Sequence, residues 1–305
     1  MQAHLYPRLS ERGWELAESS PRDRGRGLLS RLVGLISGFI PASGSTYLSV
    51  IPPLPVFIRK RHVVSVIHDL RWLRTRGRLA RAYRSWDLRR TIAHSKVLVC
   101  ISQRTQADLL AFDTRSAKKT VVALEGPGLV NDGNFNDVKN GQVLLIGGAE
   151  HKRNELAARA LALAKPEWCR SIVGVGVSQE CRDVLTEHFG AFETQWHERI
   201  SDLELELLYR NAEVFLFLGV EEGFGLPYIE ALSSGCKVVA IEQQLTVELL
   251  GDAGILIRDG DASEIASQLI HIEDPGPSIR ANVASRYSWD AFADAIDASL
   301  RSRSE

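Results

Sequence analysis

Eight short, almost continuous apolar runs limit what this chain can fold into. They are HVVSVIHDL (62–70), KVLVCIS (96–102), KTVVAL (119–124), QVLLIGG (142–148), SIVGVGV (171–177), AEVFLFLG (212–219), CKVVAIE (236–242) and GILIRDG (254–260). A strand with one wet face alternates apolar and polar residues; several of these runs do not alternate. They therefore read as central strands of parallel sheets covered on both faces. Between and after them lie helix-period stretches at 78–93, 103–112, 154–164, 179–188, 202–210, 226–234, 262–273 and 289–301. Strand, helix, strand in repetition predicts an α/β, doubly wound architecture with right-handed crossovers.

Charge divides the chain in two. Residues 1–140 hold 23 Lys/Arg against 11 Asp/Glu, whereas residues 141–305 hold 14 against 27, so the net charge of −1 conceals a basic and an acidic half. The sign changes in EGPGLVNDGNFNDVKNG (125–141), a Gly/Asn/Asp-rich stretch that reads as a linker. The sequence thus predicts a basic N-terminal Rossmann-like domain over 1–130 and a second one over 141–285. A last helix in 286–305 is expected to cross back to the first domain. The basic half suits an anionic membrane, a polyanionic acceptor or simply the acidic half. Nucleic acid is disfavoured as a partner, because the basic stretch 71–90 directly follows a site histidine candidate.

Other function classes fall away on composition. No apolar run approaches the roughly 20 residues of a spanning helix, and the opening MQAHLYPRLSERGWEL is polar and charged, unlike a secretory signal. The four cysteines form no CxxC pair. They read as reduced, buried thiols, which predicts a cytoplasmic protein, with peripheral contact at the inner face of the membrane as an option. LLSRLVGLISGFI (28–40) is either a helix against a membrane or acceptor lipid, or a buried core helix.

The chemistry concentrates in EEGFGLPYIEALSSG (221–235). Pro227 suits the first turn of a helix. The free N–H groups and partial positive charge of that helix start, with Gly223 and Gly225 removing Cβ atoms, make a place for phosphate or sugar hydroxyls. Glu222 in the turn and Glu230 one turn into the helix can each accept O–H donors from the vicinal diols of a ribose or a hexose.

Three further stretches belong with it. In GGAEHKRNEL (147–156), Lys152 and Arg153 precede a helix start. Cations there oppose the helix dipole, which points to a function for them. VVSVIHDL places His68 and Asp69 at the carboxyl end of a strand, where a parallel sheet presents ligands to a cleft. Asp69 either orients the ring or caps the next turn, and Ser102 is an N-cap candidate. Asp259–Gly260–Asp261 has the form of a metal-binding DxD, but before a helix it reads as a cap, so no metal is expected.

EEGFGLPYIEALSSGCKVVA resembles the signature of retaining glycosyltransferases of the two-Rossmann GT-B architecture, in the family known as GT4. That motif is a glutamate, seven residues and a second glutamate, with GFG after the first. The resemblance takes in VLVCISQRTQADLL (97–110) and DLELELLYRNAEVFLF (202–217), and runs on through ELLGDAGILI (248–257) to RYSWDAFA (286–293). It implies two Rossmann-like doubly wound domains facing a cleft, the first of them truncated. Family members usually begin with a strand and a glycine-rich loop, whereas this chain starts inside the following helix. Three readings follow: a start further upstream, a trimmed but active domain, or a non-catalytic partner of another transferase.

By the same resemblance, Glu230 holds the ribose of a nucleotide and Glu222 the donor sugar. The backbone of Gly223, Phe224, Gly225 and Leu226 lies close to sugar and phosphate. Lys152 and Arg153, in inverted order relative to the family's usual Arg-Lys pair, face the diphosphate. Gly148 stands where many members carry a further arginine. His68, with Asp69, lies near the transferred sugar, and Ile200 lines the base pocket. The implied activity is metal-independent transfer of a hexose from a nucleotide diphosphate-sugar to an envelope glycan or lipid-linked acceptor, with retention by front-face displacement and no cofactor. A sugar-nucleotide epimerase or phosphorylase on the same fold is the alternative enzyme.

Overall fold

The computed structural model describes residues 1–14, 47–49, 63–75, 77–129, 141–190, 193–220 and 222–302. The expected segment at 28–40 and positions 130–140 of the expected linker lie outside these residues. The chain divides into two compact units: Met1–Gly126 with Ser288–Glu305, and Pro127–Tyr287.

Among the described residues, the first unit holds four parallel strands in the order β1 (Tyr47–Ser49), β2 (Val63–Ile67), β3 (Val97–Cys100), β4 (Thr120–Val122). Every residue of β2 and β3 is buried, as their apolar runs require; the one polar member, Ser65, shares a hydrogen bond of 2.8 Å with the Ser95 hydroxyl. Leu88 and Ile92 of helix Arg78–His94 and Leu109 of helix Gln103–Phe112 pack with Ile67, Leu98 and Cys100. Ser102 starts the second of these helices, its hydroxyl accepting from the Thr105 N–H at 3.0 Å.

Helix Gln2–Glu11 packs against the final helix, Trp289–Arg301, which therefore belongs to this unit. The His4 ring stacks on Trp289 with centroids 5.4 Å apart. Arg8 pairs with Asp290 at 3.0 Å and Arg12 with Asp294 at 2.7 Å. Exposed pairs of this kind contribute little. Burial of Trp289, Phe292 and Ile296 stabilises the helix pair more than these charges do. The chain leaves the unit at Gly126, where an added Cβ would stand 2.5 Å from the Trp289 ring. The expected linker thus starts too early: Glu125 is 3% exposed and part of this unit.

Among the described residues, the second unit holds six parallel strands: β5 (Gln142–Ile146), β6 (Ser171–Val175), β7 (Thr194–His197), β8 (Val214–Phe217), β9 (Lys237–Ile241) and β10 (Gly254–Ile257). Their order is β10-β9-β8-β5-β6-β7. The first strand of the unit is central, with the next two on one side and the last three on the other. This is the Rossmann order, and its switch point lies between β5 and β8. β7 was not legible as a strand: TQWH is an edge strand with only Thr194 buried. Helices Gln244–Leu250 and Pro277–Ala284 were also not expected, and the helix expected over 262–273 ends at Leu269.

An aromatic ladder crosses the sheet beneath the switch point. Phe215 and Phe217, two residues apart on one face of β8, have centroids 5.6 Å apart. Tyr209 meets the first edge-on at 5.5 Å, and Tyr228 meets the second edge-on at 4.9 Å. All four side chains are fully buried. The four cysteines are buried and free, and burial pushes the Cys100, Cys169 and Cys181 thiols up to about 12, leaving them unreactive. Among the described residues no helix is long and apolar enough to cross a membrane.

Candidate active site

Two loops meet at the switch point, one after β5 and one after β8. Gly147 turns the first with φ +88°, and Gly148 follows so close to the neighbouring loop that a Cβ would lie 2.5 Å from the Gly176 carbonyl oxygen. A side chain there would meet that backbone oxygen, so the loop depends on Gly148. The loop ends in Lys152, Arg153 and Asn154. Asn154, buried to 1%, donates through Nδ2 to the Gly147 and Ile146 carbonyls and ties the helix start to the strand end.

The second loop is held from below. The Tyr228 hydroxyl donates to the Gly219 carbonyl at 3.2 Å, and Gln243 Nε2 donates to the same oxygen at 2.9 Å. Gly225 is the N-cap of helix Leu226–Ser233, at φ +77° with the Tyr228 ring so near that a Cβ would be 2.6 Å from it. Both the positive φ and the close approach require glycine. Pro227 sits in the first turn.

The loops are joined by charge. Lys152 Nζ lies 2.8 Å from Glu222 Oε1 and 4.6 Å from the centroid of Phe217, the top of the aromatic ladder. His151 Nε2 approaches the same carboxylate oxygen at 3.5 Å. Sequence reading passed over His151; only the fold brings it to Glu222. The Glu222 side chain is 11% exposed and that of Lys152 18%, so the pair is poorly screened by water.

Arg153 adopts the left-handed conformation at φ 57° and serves as N-cap of helix Asn154–Ala164. Its guanidinium reaches Asp259 at 2.7 Å. The two acids of the DxD form therefore have separate tasks. Asp259 pairs with Arg153, while Asp261 accepts from the Ser263 and Glu264 N–H groups and receives the Glu264 carboxylate on its own N–H, a complete capping box.

Glu230 lies one turn along helix Leu226–Ser233. It accepts from the Tyr209 hydroxyl at 3.3 Å and from the Gly128 N–H. Burial raises its pKa, and these two donors pull the other way. A Cβ on Gly128 would stand 2.7 Å from Glu230 Oε1, so a side chain there would push the carboxylate aside. A carboxylate offers about four lone-pair sites, which leaves room for further hydroxyl donors. Ile200 is half-buried in the turn after β7, just before helix Asp202–Asn211. Gly223 and Phe224 lie in the turn itself, and the Phe224 ring packs edge-on against Tyr287 at 6.1 Å.

In the first unit, His68 follows β2, and the Thr105 hydroxyl donates to its backbone carbonyl at 3.3 Å. Asp69 accepts from the Arg71 N–H at 3.0 Å and pairs with its side chain at 3.6 Å, so it caps the turn. The carboxylate that faces the imidazole is instead Glu125, with Oε1 3.6 Å from Nδ1. Burial pushes Glu125 up to about 7 from 4.5. A carboxyl that keeps its proton longer folded than unfolded stabilises the fold at low pH. That contribution declines as pH rises from about 4.5 to about 7.

Comparison with known proteins fits this geometry. Residues 140–274 match the family model described as glycosyl transferases group 1. The O-antigen chain mannosyltransferase RfbU of Salmonella typhimurium is 30% identical over 132 residues, 43% of this chain and 35% of that protein. The GDP-mannose:cellobiosyl-diphosphopolyprenol alpha-mannosyltransferase of Komagataeibacter xylinus is 29% identical over 222 residues, 66% of this chain and 54% of that protein. The matched stretches thus span about half or less of these curated relatives. Among solved structures, Anabaena HepE in complex with UDP and glucose superposes with a TM-score of 0.62 at 19% identity, covering 79% of this chain and 71% of that one. A pneumococcal O-GlcNAc transferase, GtfA, in complex with UDP and GlcNAc, gives 0.59 at 14% identity, covering 81% and 53%. The fold is the GT-B type of these glycosyltransferases.

Proposed function

We propose that this chain, whose residues 140–274 carry a glycosyl transferases group 1 domain, is a GT4-like glycosyltransferase. It moves a sugar from a nucleotide diphosphate-sugar to an envelope glycan or glycolipid, with retention and without a metal. The observation that carries this reading is the junction at the β5/β8 switch point. There Lys152 and His151 converge on Glu222 beside a glycine turn that opens a helix. Such a site offers cations and backbone N–H groups to a diphosphate and a carboxylate to sugar hydroxyls.

In the reaction, the bond between the anomeric carbon and the diphosphate oxygen breaks, and the acceptor oxygen bonds on the same face. The acceptor proton passes to the departing phosphate oxygen. Negative charge grows on the leaving group, and Lys152, Arg153 and the Gly223–Gly225 backbone stabilise it. Glu222 holds the sugar and Glu230 the ribose, and the resemblance makes His68 a further sugar contact. The relatives' names favour a mannosyl donor, and the solved neighbours hold UDP, so UDP- and GDP-sugars are the donors to try. The test is proton NMR of the fresh product of an acceptor screen. An anomeric configuration equal to the donor's supports the reading; an inverted product contradicts it.

The acceptor side of this proposal includes contact with an anionic membrane. Helix Arg78–His94 exposes Leu79 (89%) and Trp86 (49%), seven residues apart on one face, beside exposed Arg78, Arg81 and Arg89. Co-sedimentation with phosphatidylglycerol vesicles but not with phosphatidylcholine vesicles is expected. It should weaken in the double variant Leu79→Ser, Trp86→Ser. Equal binding to both vesicles, or none, would rule out a membrane-facing helix.

A further inference from the structure

We propose that Glu125 is the positioning residue for His68: its carboxyl group engages the imidazole through Nδ1 and thereby decides whether Nε2 meets the substrate as a donor or as an acceptor. The inference rests on the reading of His68 as a sugar contact.

The two residues come from different strand ends of the same sheet. His68 follows β2, Glu125 follows β4, and β3 lies between those strands. Glu125 is 3% exposed, and its Oε1, the atom 3.6 Å from His68 Nδ1, is buried without a hydrogen-bond partner among the described residues. An orphaned carboxyl oxygen in the interior is costly. A small rotation toward the ring completes the bond. His68, by contrast, is 36% exposed at its side chain, so the ring has one wet side and one side backed by acid. The Met1 amino group lowers the pKa of Glu125 while burial raises it, and Asp69, next to His68, is engaged with Arg71.

Proton counting gives the consequence. With both groups deprotonated at the shared position, only one proton remains on the ring. It sits on Nδ1, facing the carboxylate, and Nε2 is a bare acceptor. When the pair takes up one more proton, it either charges the ring or neutralises the acid. The charged ring carries a hydrogen on Nε2, and so does the neutral ring when the protonated carboxyl donates to Nδ1. Burial pushes Glu125 up to about 7, which brings its protonation within reach of near-neutral pH.

The test uses the full chain, with the His68 ring read by ¹⁵N–¹H multiple-bond NMR across pH 5 to 9 and transfer kinetics measured in parallel. The wild type should show Nε2–H at low pH and Nδ1–H at high pH. In Glu125→Gln the fixed high-pH tautomer should disappear, with kcat lower by about tenfold and the donor KM nearly unchanged. Adding His68→Asn to Glu125→Gln should cost no more than His68→Asn alone. If Glu125→Gln does not fold, Glu125→Asp, which withdraws the carboxylate by one methylene, should show the same loss of tautomer control. Identical tautomers and pH profiles in wild type and variant would overturn the proposal. A changed tautomer with full turnover in His68→Asn would instead overturn the sugar-contact reading, and with it any role for the pair in catalysis.

Discussion

Arg153→Ala is expected to lower transfer turnover about 10²- to 10³-fold with the fold intact, the size seen when one preorganised donor to a developing charge is removed. Arg153 occupies the left-handed region at φ 57°, which a non-glycine residue enters only when its surroundings enforce it. It also places a cation at the start of helix Asn154–Ala164, against the dipole. Neither feature helps stability. The ion pair with Asp259, whose side chain is 53% exposed, contributes under about 1 kcal/mol. Loss of Arg153 should therefore leave the melting temperature within a few degrees. Asp259→Asn separates the two roles. If Arg153 serves the diphosphate, that variant stays near wild-type turnover. If Arg153 only braces Asp259, both variants behave alike. An unchanged rate in Arg153→Ala would remove it from the mechanism.

Glu230→Ala should weaken nucleotide binding about 10- to 100-fold, the range for hydrogen bonds to a charged acceptor. Tyr209→Phe should have a smaller effect, because it removes one donor to Glu230 and leaves the Gly128 N–H in place. The pH dependence has a defined sign. Burial raises the Glu230 pKa, and the protonated carboxyl has lost acceptor capacity. Nucleotide affinity should thus fall on acidification, and at a higher pH than an exposed glutamate would give. Titrations across pH 5 to 8 on wild type and Glu230→Ala check this. The wild type should lose affinity toward low pH, and the variant should be flat by comparison. A flat wild-type profile would show that Glu230 does not accept from the ribose.

What the sequence made legible follows from where each residue sits. Strands buried on both faces, such as β3 and β8, leave uninterrupted apolar runs that set their bounds to within a few residues. The edge strand β7 buries only Thr194 of its four residues, and TQWH carries too little pattern to announce it. Glu222, Glu230, Lys152 and Arg153 were readable because a glycine turn or a helix start surrounds each one. Their partners were not. His151 stood beside two more conspicuous cations, and its approach to Glu222 exists only once β5 and β8 are neighbours. Glu125 was absorbed into a stretch read as linker, although VVALEG puts it just past a strand. A rule that lines up the residues following each parallel strand would have placed it near His68. Asp69, adjacent in sequence, drew attention that belonged to Glu125; a carboxylate one residue away bonds the turn more easily than the ring before it.

The proposed chemistry requires the second unit to hold a nucleoside diphosphate without a metal. Calorimetric titration with UDP, GDP and ADP in EDTA, on wild type and Glu230→Ala, is the decisive test. Saturable binding of one nucleotide by the wild type, weakened by the substitution, is the predicted result. Binding that appears only after a divalent cation is restored, or no binding by any nucleotide, would contradict it.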